Sequence, residues 1–347
     1  MAPRAEIPAV REALLGWYRE HRRDLPWRRS RDPYGVWVSE VMLQQTRVDT
    51  VVPYHRRFLE RFPTVEALAR APEAEVLAVW SGLGYYRRAR LLHQGARAVV
   101  ERHAARVPDT FALLRALPGV GDYTAGAIGS IAYGLPVPVV DGNVERVLTR
   151  LHTLRGDPRA SPGKSLLRAL AARYAEHPAP GEVNQALMEL GALVCAPSAP
   201  KCLLCPVKAH CGALAAGEPE RYPEKRARAA PRPERWSALV ATLDDKVWLV
   251  PSDLGRWTAM LLPPMVERDH TARQVVSSLG MSGIVRAVRE AGAVTHVLTH
   301  ASMRVKVFVG ELLREPSRGE LVARGALGGR AVPKVTLKVL EAALGVL

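Results

Sequence analysis

The cysteines of this chain lie in one short segment, where their spacing suits metal ligation. The 347-residue sequence contains four cysteines, and all of them fall within residues 195–211 in the pattern C-x6-C-x2-C-x5-C. Four thiolates joined by loops this short can hold a [4Fe–4S] cluster or a tetrahedral zinc ion, and a reducing compartment favours ligation over disulfides. The spacing by itself leaves iron–sulfur and zinc open. The predicted ligands are Cys195, Cys202, Cys205 and Cys211.

A glycine-rich junction between two predicted helices is the second candidate site. Residues 117–121 read LPGVG. Glycines let backbone N–H groups approach a phosphate closely, and the N-terminus of the following helix favours an anion. We therefore predict that Gly119, Val120 and Gly121 contact DNA phosphate. An ordinary glycine-rich connection between helices is the alternative.

Two carboxylates occupy positions where local sequence gives them distinct roles. Asp141 comes twenty residues after Gly121, at the start of another predicted helix, and taken alone it predicts a helix N-cap. Glu40 lies early in a predicted helix among apolar residues, which raise the pKa of a carboxyl and suit it to general-acid catalysis. A glutamate on the helix surface is the alternative. The apolar neighbours of Glu40 are Trp37, Val41 and Leu43.

The elements that must position these residues are helical over the first part of the chain. Apolar residues recur there at spacings of three and four, which predicts a mainly α domain over residues 1–214. Residues 215–235 are proline-rich and basic, which predicts a linker. Strand-like runs then alternate with helical segments near 270–279 and 284–291, so we predict a separate α+β domain over 236–347.

Composition narrows the function classes. Hydrophobic residues make up 48% and charged residues 24%, as in a globular protein. The 49 lysines and arginines against 34 acidic residues give a net charge of +15, which suits a polyanion but also a general arginine bias. No apolar run approaches the ~18 residues of a membrane span, and a signal peptide is not recognisable, so we expect a soluble intracellular protein with no membrane partner.

With the motifs in place, the chain resembles a known family. The cysteine spacing resembles the iron–sulfur loop of the endonuclease III and adenine glycosylase (MutY) family, a helix–hairpin–helix superfamily of DNA glycosylases. Residues 25–51, with PWR, DPY and SEVMLQQT in order, resemble the adenine-glycosylase subfamily, and the resemblance spans nearly residues 10–215. It implies a [4Fe–4S] cluster that is structural rather than hydrolytic. It also implies that Lys201 and Lys208 face phosphate.

The resemblance assigns catalytic roles residue by residue. Glu40 corresponds to the residue that protonates adenine at N7, and Asp141, in PVVD, to the carboxylate beside the sugar. Tyr123 occupies the place of the Schiff-base lysine of endonuclease III, which implies a glycosylase without efficient strand cleavage. Asn143 is implied to help hold the pocket.

Substrate contacts are also implied by the resemblance. The implied residues are Trp27 and Arg28 for the flipped base, Gln45 for the duplex wedge, Leu83 and Tyr85 for the opposite base, and Gln185 for the adenine amino group.

The resemblance is thinner beyond residue 235. It implies a Nudix-like C-terminal domain, and the lack of an acidic RExxEE run favours recognition over hydrolysis. The segment THVLTHASM resembles the loop that senses 8-oxoguanine, with Leu298 and Thr299 where an aromatic residue and a serine usually occur. Thr299 keeps a hydroxyl for hydrogen bonding, and His300 follows it.

The implied function is excision of adenine mispaired with 8-oxoguanine or guanine in double-stranded DNA during base excision repair. The implied protein is a monomer in the cytoplasm, associated with the nucleoid. Two alternatives stay open at this point. One is a pyrimidine or thymine mismatch glycosylase of the same superfamily, and the other is a non-catalytic DNA-binding or redox-sensing protein.

Overall fold

The computed structural model describes residues 6–224, 230–257, 260–298, 300–330 and 332–345. The chain divides into two compact units, residues 1–227 and 228–347. Within the described ranges, no helix combines the length and the apolar character needed to cross a membrane.

Unit 1 is built from helices, which confirms the mainly α class predicted for the N-terminal part. Short 3₁₀ turns cover Pro26–Arg28, Cys202–Leu204, Lys208–His210 and Pro219–Arg221. The helices are α1 (Ile7–His21), α2 (Pro33–Leu43), α3 (Val48–Arg61), α4 (Val65–Arg70), α5 (Glu73–Val79), α6 (Arg87–Arg102), α7 (Phe111–Arg115), α8 (Asp122–Tyr133), α9 (Gly142–His152), α10 (Gly163–Ala175), α11 (Pro180–Leu193) and α12 (Gly212–Ala215).

Helix α2 begins at a strong local signal and runs through the interior. The Asp32 carboxylate accepts hydrogen bonds from the backbone N–H groups of Tyr34 and Gly35, and Pro33 at the first helical position has no N–H to satisfy. Residues 34–42 are all buried. A helix buried on every side belongs to the core, so a carboxyl group on α2 is held away from water.

Helices α9 and α11 pack against each other at close range. Together with α1 and α10 they form a core that includes Leu148, Tyr174 and Leu187. Gly191 of α11 faces Asn143 of α9 so closely that a Cβ built at position 191 would lie 2.5 Å from the Asn143 Cβ atom. Real Cβ contacts are not this short, so only glycine lets α11 approach the first turn of α9.

The predicted linker, residues 215–235, is largely structured where it is described. Tyr222 is buried, and its carbonyl accepts a hydrogen bond from the Arg150 guanidinium at 3.0 Å. Residues 215–224 therefore pack on unit 1 because a buried aromatic ring anchors them. At the other end a strand begins at Arg232 rather than 236, because residues 232–235 pair with a parallel neighbour. Residues 225–229 lie outside the described part.

Unit 2 is built around a mixed sheet with the order β3-β2-β1-β6-β5, in which β4 also pairs with β1 and β7 with β2. Strands β1 and β6 are parallel, while the other pairs are antiparallel. The elements are β1 (Arg232–Leu243), β2 (Lys246–Pro251), β3 (Leu261–Leu262), β4 (Met265–Glu267), α13 (Ala272–Ser278), β5 (Val285–Val297), β6 (Ala301–Leu312), β7 (Glu320–Ala323) and α14 (Lys334–Leu344).

The sheet of unit 2 lies between two helices. Val335 and Val339 of α14 join the apolar cluster on one face, whereas Val275 of α13 joins the cluster on the other. This arrangement confirms the α+β class. The helix predicted near 284–291 is wrong: these residues open strand β5, because pairing with β6 from Val285 onward outweighs their helical spacing.

Candidate active site

Glu40 and Tyr123 form a hydrogen-bonded pair inside unit 1. Helix α2 carries Glu40, which is 4% exposed, and the first turn of α8 carries Tyr123. The Tyr123 hydroxyl donates to Glu40 Oε2 at 2.6 Å. It also lies 3.6 Å from the Met188 sulfur of α11. Side chains from helices α2, α8 and α11 therefore meet at the Tyr123 hydroxyl.

The second carboxylate, Asp141, caps helix α9. Its Oδ1 accepts from the backbone N–H groups of Asn143 at 2.9 Å and Val144 at 2.8 Å. Its Oδ2 accepts from the Asn143 amide at 2.8 Å. Asp141 is thus a helix N-cap, as its position alone predicts, and the cap fixes the carboxylate's orientation. Being a cap does not stop the half-buried carboxylate from stabilising a cation.

Burial sets the ionisation of both carboxyl groups. It raises the pKa of Glu40 to about 7, and the charge of Asp141 adds to the rise, while the Tyr123 hydrogen bond and the Arg28 charge oppose it. Burial also raises the pKa of Asp141, but the N–H groups of Val144 and Asn143 limit that rise. Near neutral pH Glu40 is therefore poised to give up a proton, while the hydrogen bonds from Asn143 and Val144 favour the ionised form of Asp141.

A buried ion-pair network, which no motif in the sequence predicts, holds Arg28, whose charge acts on Glu40. Arg28 donates to both Glu189 carboxylate oxygens at 3.1 and 2.9 Å, and Arg23 donates to the same oxygens at 2.9 and 2.8 Å. Burial alone would raise the pKa of Glu189, but the hydrogen bonds from the two arginines lower it to about 2. Both arginines lie more than 160 residues from Glu189 in sequence, so no local pattern relates them.

Helix α9 reaches from the Asp141 cap to the cysteine segment. Arg146 donates to Asn143 Oδ1 at 2.9 Å and to the Cys195 carbonyl at 2.6 Å. One turn later Arg150, which is buried, donates to the Cys195 sulfur at 3.3 Å. The two arginines tie the first cysteine to the helix that begins at Asp141.

The cysteines share one cavity. Its lining includes all four of them together with Arg150 and Lys208. Among the described residues, no group of three histidine, cysteine or acidic side chains is placed to hold a single metal ion. Lys208, predicted to face phosphate, is exposed and donates to the Leu203 carbonyl at 2.9 Å. Lys201 is exposed as well.

The residues implied to probe the duplex lie on two loops. Gln45, just after α2, is exposed and has a φ of 60°. Tyr85, just before α6, is 58% exposed with a φ of 50°. Leu83 differs from both because it is 6% exposed and packs inward. Arg88 joins the two loops through hydrogen bonds to carbonyls of both, and sequence reasoning missed it because an arginine on a basic helix carries no distinguishing signal.

Two residues implied to bind the base, Trp27 and Gln185, differ in accessibility. Trp27 is 7% exposed, and its ring meets His55 edge-on at 5.2 Å between centroids. Gln185 is half-buried on α11, and its amide donates to the Gly181 carbonyl one turn earlier at 3.1 Å. Trp27 is therefore buried, whereas Gln185 remains partly exposed.

The glycine-rich junction connects α7 to α8 as a tight hairpin. Gly119 has a φ of 76°, and a Cβ there would lie 2.6 Å from the Leu91 Cβ atom, so the position requires glycine. Gly119 and Gly121 are exposed. Val120 differs, because its side chain is buried and its N–H is already bonded to the Leu117 carbonyl at 3.1 Å. The Val120 N–H thus has a partner within the hairpin, whereas the glycines on either side are exposed.

The recognition loop predicted in unit 2 connects β5 to β6. The Leu298 N–H donates to the Ala301 carbonyl at 2.7 Å, closing the turn, and Leu298 packs against the apolar cluster. His300 is exposed. Thr299 lies outside the described residues.

Comparison with known proteins identifies what this chain is similar to. Residues 38–173 match the model of the HhH-GPD superfamily base excision DNA repair proteins, a span that contains both Glu40 and Asp141. Human adenine DNA glycosylase is 48% identical over 226 residues, which cover 62% of this chain but only 41% of the human protein. A solved thermostable thymine-DNA glycosylase is 28% identical with a TM-score of 0.56, covering 60% of this chain and 97% of that one.

A bacterial relative settles the family. The adenine DNA glycosylase of Buchnera aphidicola subsp. Acyrthosiphon pisum is 35% identical over 240 residues, which cover 69% of this chain and 68% of the relative. The match therefore extends over about two thirds of both proteins. The resemblance drawn from the sequence is confirmed, and the chain belongs to the adenine DNA glycosylase family.

Proposed function

We propose that this chain is a monofunctional glycosylase that flips adenine out of double-stranded DNA, where it is mispaired with 8-oxoguanine or guanine, and hydrolyses its N-glycosidic bond. The observation that carries the proposal is the buried Glu40 carboxyl, with a pKa of about 7 and a hydrogen bond to Tyr123, beside the capped Asp141 carboxylate. A proton donor and a stabiliser of positive charge are the two groups that depurination needs.

The reaction divides between the two carboxyl groups. Glu40 transfers its proton to N7 of the extruded adenine, the bond from C1′ to the base breaks, and its electron pair leaves with adenine. Asp141 stabilises the positive charge that develops on the sugar. Water then adds to C1′ while the Glu40 carboxylate accepts its proton, which restores the acid. The products are free adenine and an abasic site.

Tyr123 supports the absence of strand cleavage. A lyase needs an amine that attacks C1′ and forms a Schiff base. Among the described residues, the carboxyl groups of Glu40 and Asp141 accept hydrogen bonds from Tyr123, Asn143 and Val144, and none of these donors is an amine. The proposed enzyme therefore stops at the abasic site.

The surface of unit 1 suits duplex DNA. The exposed glycines of the hairpin precede helix α8, whose N-terminus attracts phosphate, and the net charge of +15 favours a polyanion. Gln45 and Tyr85 project from neighbouring loops to occupy space left by the extruded base. All proposed catalytic residues come from one unit of one chain, so we expect the protein to act as a monomer.

Selectivity for 8-oxoguanine belongs, in this proposal, to the loop between β5 and β6. Exposed His300 lies there, and the hydroxyl of Thr299 supplies the hydrogen bond that the resemblance implies. Leu298 is committed to packing, so the loop offers polar contacts rather than an aromatic plane. The ratio of the rates of adenine release from A:8-oxoguanine and A:G duplexes measures how strongly this loop favours 8-oxoguanine.

A single-turnover assay with four duplexes tests the proposed activity. The duplexes contain A:8-oxoguanine, A:G, T:G or A:T at one position, and free base and abasic sites are quantified separately. We expect adenine from the first two and no strand breaks before alkali treatment. Thymine released from T:G would favour the thymine-glycosylase alternative, and binding without release from any duplex would favour a non-catalytic protein.

We also propose that the four cysteines hold a [4Fe–4S] cluster. The donor set fits, because four cysteines line one cavity and the Arg150 guanidinium lies 3.3 Å from the Cys195 sulfur, the kind of hydrogen bond that cluster thiolates accept. When bound, the cluster would supply a rigid cross-link between loop segments and take no part in hydrolysis. The chain's own arginines then hold the segment on helix α9.

Substitution of one ligand should remove the metal and loosen the loop. Cys205→Ser should lower iron and sulfide content and reduce the melting temperature, since metal binding contributes folding free energy. Metal analysis, visible absorbance and thermal melting measure this without reference to activity. Ser198→Ala, at an exposed position in the same segment, is the matched control and should match the wild type. Zinc without iron in the wild-type protein would contradict the proposed cluster.

Excision should depend on pH through Glu40. Glu40 acts as an acid only while protonated, and its pKa is about 7, so the single-turnover rate should fall as pH rises from about 6 to about 8. Tyr123→Phe removes the hydrogen bond that holds this pKa down. In that variant the alkaline limb should therefore move to higher pH, by up to about one unit.

The control for the pH profile is DNA binding, measured with a duplex whose adenosine resists hydrolysis. Binding should not show the same alkaline limb. If Tyr123→Phe leaves the limb where it is, another group sets the ionisation, and the role of Tyr123 in tuning Glu40 is wrong.

A further inference from the structure

Two exposed residues of unit 1 share an unusual backbone conformation. Gln45 and Tyr85 have φ values of 60° and 50°, the left-handed region that side chains other than glycine rarely adopt. Such conformations persist only where the surroundings hold them, and they collect at functional sites. Neighbouring groups must therefore hold both loops in place.

The buried Arg88 guanidinium donates a hydrogen bond to the carbonyl that directly precedes each of these residues. Arg88 Nη1 donates to the carbonyl of Gln44 at 2.6 Å, directly before Gln45. Arg88 Nη2 donates to the carbonyl of Gly84 at 3.3 Å, directly before Tyr85. Fixing these two carbonyls fixes the peptide planes from which both exposed side chains depart.

Arg88 makes further contacts that leave it little freedom. Nη1 also donates to the backbone carbonyls of Val41 and Met42, both at 2.8 Å. Nη2 donates to the Leu83 carbonyl at 3.4 Å and to the Thr46 hydroxyl at 3.2 Å. The Arg88 side chain is thereby bonded to the last turn of α2, which carries Glu40, and to both loops.

The position of the guanidinium is also set by aromatic rings. Its carbon lies 5.5 Å from the centre of the Trp80 ring and 5.4 Å from that of Tyr85, within the range of cation–π attraction. Arg88 is only 9% exposed. It is therefore held in place inside the protein and does not reach out to DNA.

We propose that Arg88 is a positioning residue that locks residues 44–46 and 82–85 into one rigid surface, so that Gln45 and Tyr85 distort the duplex together when adenine is extruded. This inference rests on the proposed function and deepens it. Arg88 touches neither base nor sugar. It acts by holding the two exposed residues in register with the helix that carries Glu40.

The planar fork of arginine is what the two loops require. A guanidinium presents several N–H groups in fixed directions, whereas a lysine ammonium is a compact charge with three donors. Arg88→Lys should therefore keep some of the carbonyl contacts but not all of them. Arg88→Met fills similar space and keeps none.

The test compares these variants on two DNA substrates. One is a duplex with a single A:8-oxoguanine pair, and the other has mismatched pairs flanking the same adenine, so that it is already unstacked. Arg88→Met should excise adenine from the first about 100-fold more slowly, the effect of misplacing positioning groups. On the second substrate it should stay within a few-fold of the wild type, and Arg88→Lys should be intermediate on the first.

A fluorescent base placed beside the adenine gives a readout that general destabilisation would not produce. In Arg88→Met the duplex should still bind while the rise in fluorescence on unstacking is lost. Arg97→Met is the matched control, because Arg97 lies on the same helix and donates to the Ala69 carbonyl at 3.3 Å without contacting either loop. It should behave as the wild type on both substrates.

The possible outcomes distinguish a failure of the positioning role of Arg88 from a failure of the proposed glycosylase activity. Wild-type rates for Arg88→Met on the duplex, or equal losses on both substrates, would overturn the positioning role. If Arg88→Met does not fold, Arg88→Lys decides by the same comparison. Failure of the wild-type protein to release adenine from either substrate would instead reject the proposed glycosylase activity.

Discussion

Glutamine at position 40 should leave a protein that binds mispaired DNA but excises adenine about 10²–10⁴-fold more slowly, the usual contribution of a general acid. The amide keeps the shape of the carboxyl and still accepts the Tyr123 hydrogen bond through its oxygen, but it has no proton to give to the leaving base. Single-turnover excision and equilibrium binding on the same A:8-oxoguanine duplex separate the two effects. Excision within a few-fold of the wild type would refute the assignment of Glu40 as the acid.

The same variant, Glu40→Gln, should also change how the free energy of unfolding depends on pH. The pKa of Glu40 in the folded protein, about 7, lies above its ordinary value. The group therefore favours folding at low pH, and this contribution is lost as pH rises through about 7. Glu40→Gln removes the effect, so the variant should gain stability relative to the wild type between about pH 5 and pH 8. Thermal melting at the two pH values measures the difference.

Asp141→Asn should slow adenine excision by about 10²–10³-fold, because it removes the charge that stabilises the sugar cation. The fold should survive, since asparagine is as good an N-cap as aspartate. One of the contacts to Asn143 is lost with the second oxygen, which costs about 1 kcal/mol. Asp141→Asn should therefore slow adenine release strongly, while it lowers the free energy of unfolding measured in urea by only about 1 kcal/mol.

Asn143→Ala is the matched control for Asp141→Asn. It removes the same side-chain contact, 2.8 Å in the wild-type protein, together with the Arg146 contact to Asn143 Oδ1, but leaves the carboxylate charge. Its loss of excision should be much smaller than that of Asp141→Asn at a similar loss of stability. Equal losses of excision would mean that Asp141 serves only to cap α9.

Sequence reasoning worked best where chemistry depends on neighbours in the chain. The cap at Asp141 and the hairpin at Gly119 are encoded within a few residues, and the structure has both. The apolar surroundings of Glu40 predict its raised pKa, and the structure gives it one. Family, fold class and these local features were therefore within reach of the sequence.

The parts that escaped sequence reasoning depend on contacts between distant segments. Glu189 joins two arginines more than 160 residues away. Arg88 joins the loop at residues 44–46, more than 40 residues earlier in the chain, to the loop just before its own helix. Neither arrangement leaves a periodic or spacing signal. The spacing of residues 284–291 predicts a helix, because the pairing with β6 that makes them part of strand β5 lies outside that segment.

Gly191 bears on how natural variation in this chain should be interpreted. It is neither charged nor able to donate a proton, and it lies fifty residues from Asp141 along the chain. Yet its lack of a side chain sets the distance between α11 and the turn that orients Asp141. A single added methyl group there would act as a wedge, so a variant that looks conservative would present itself as a loss of catalysis.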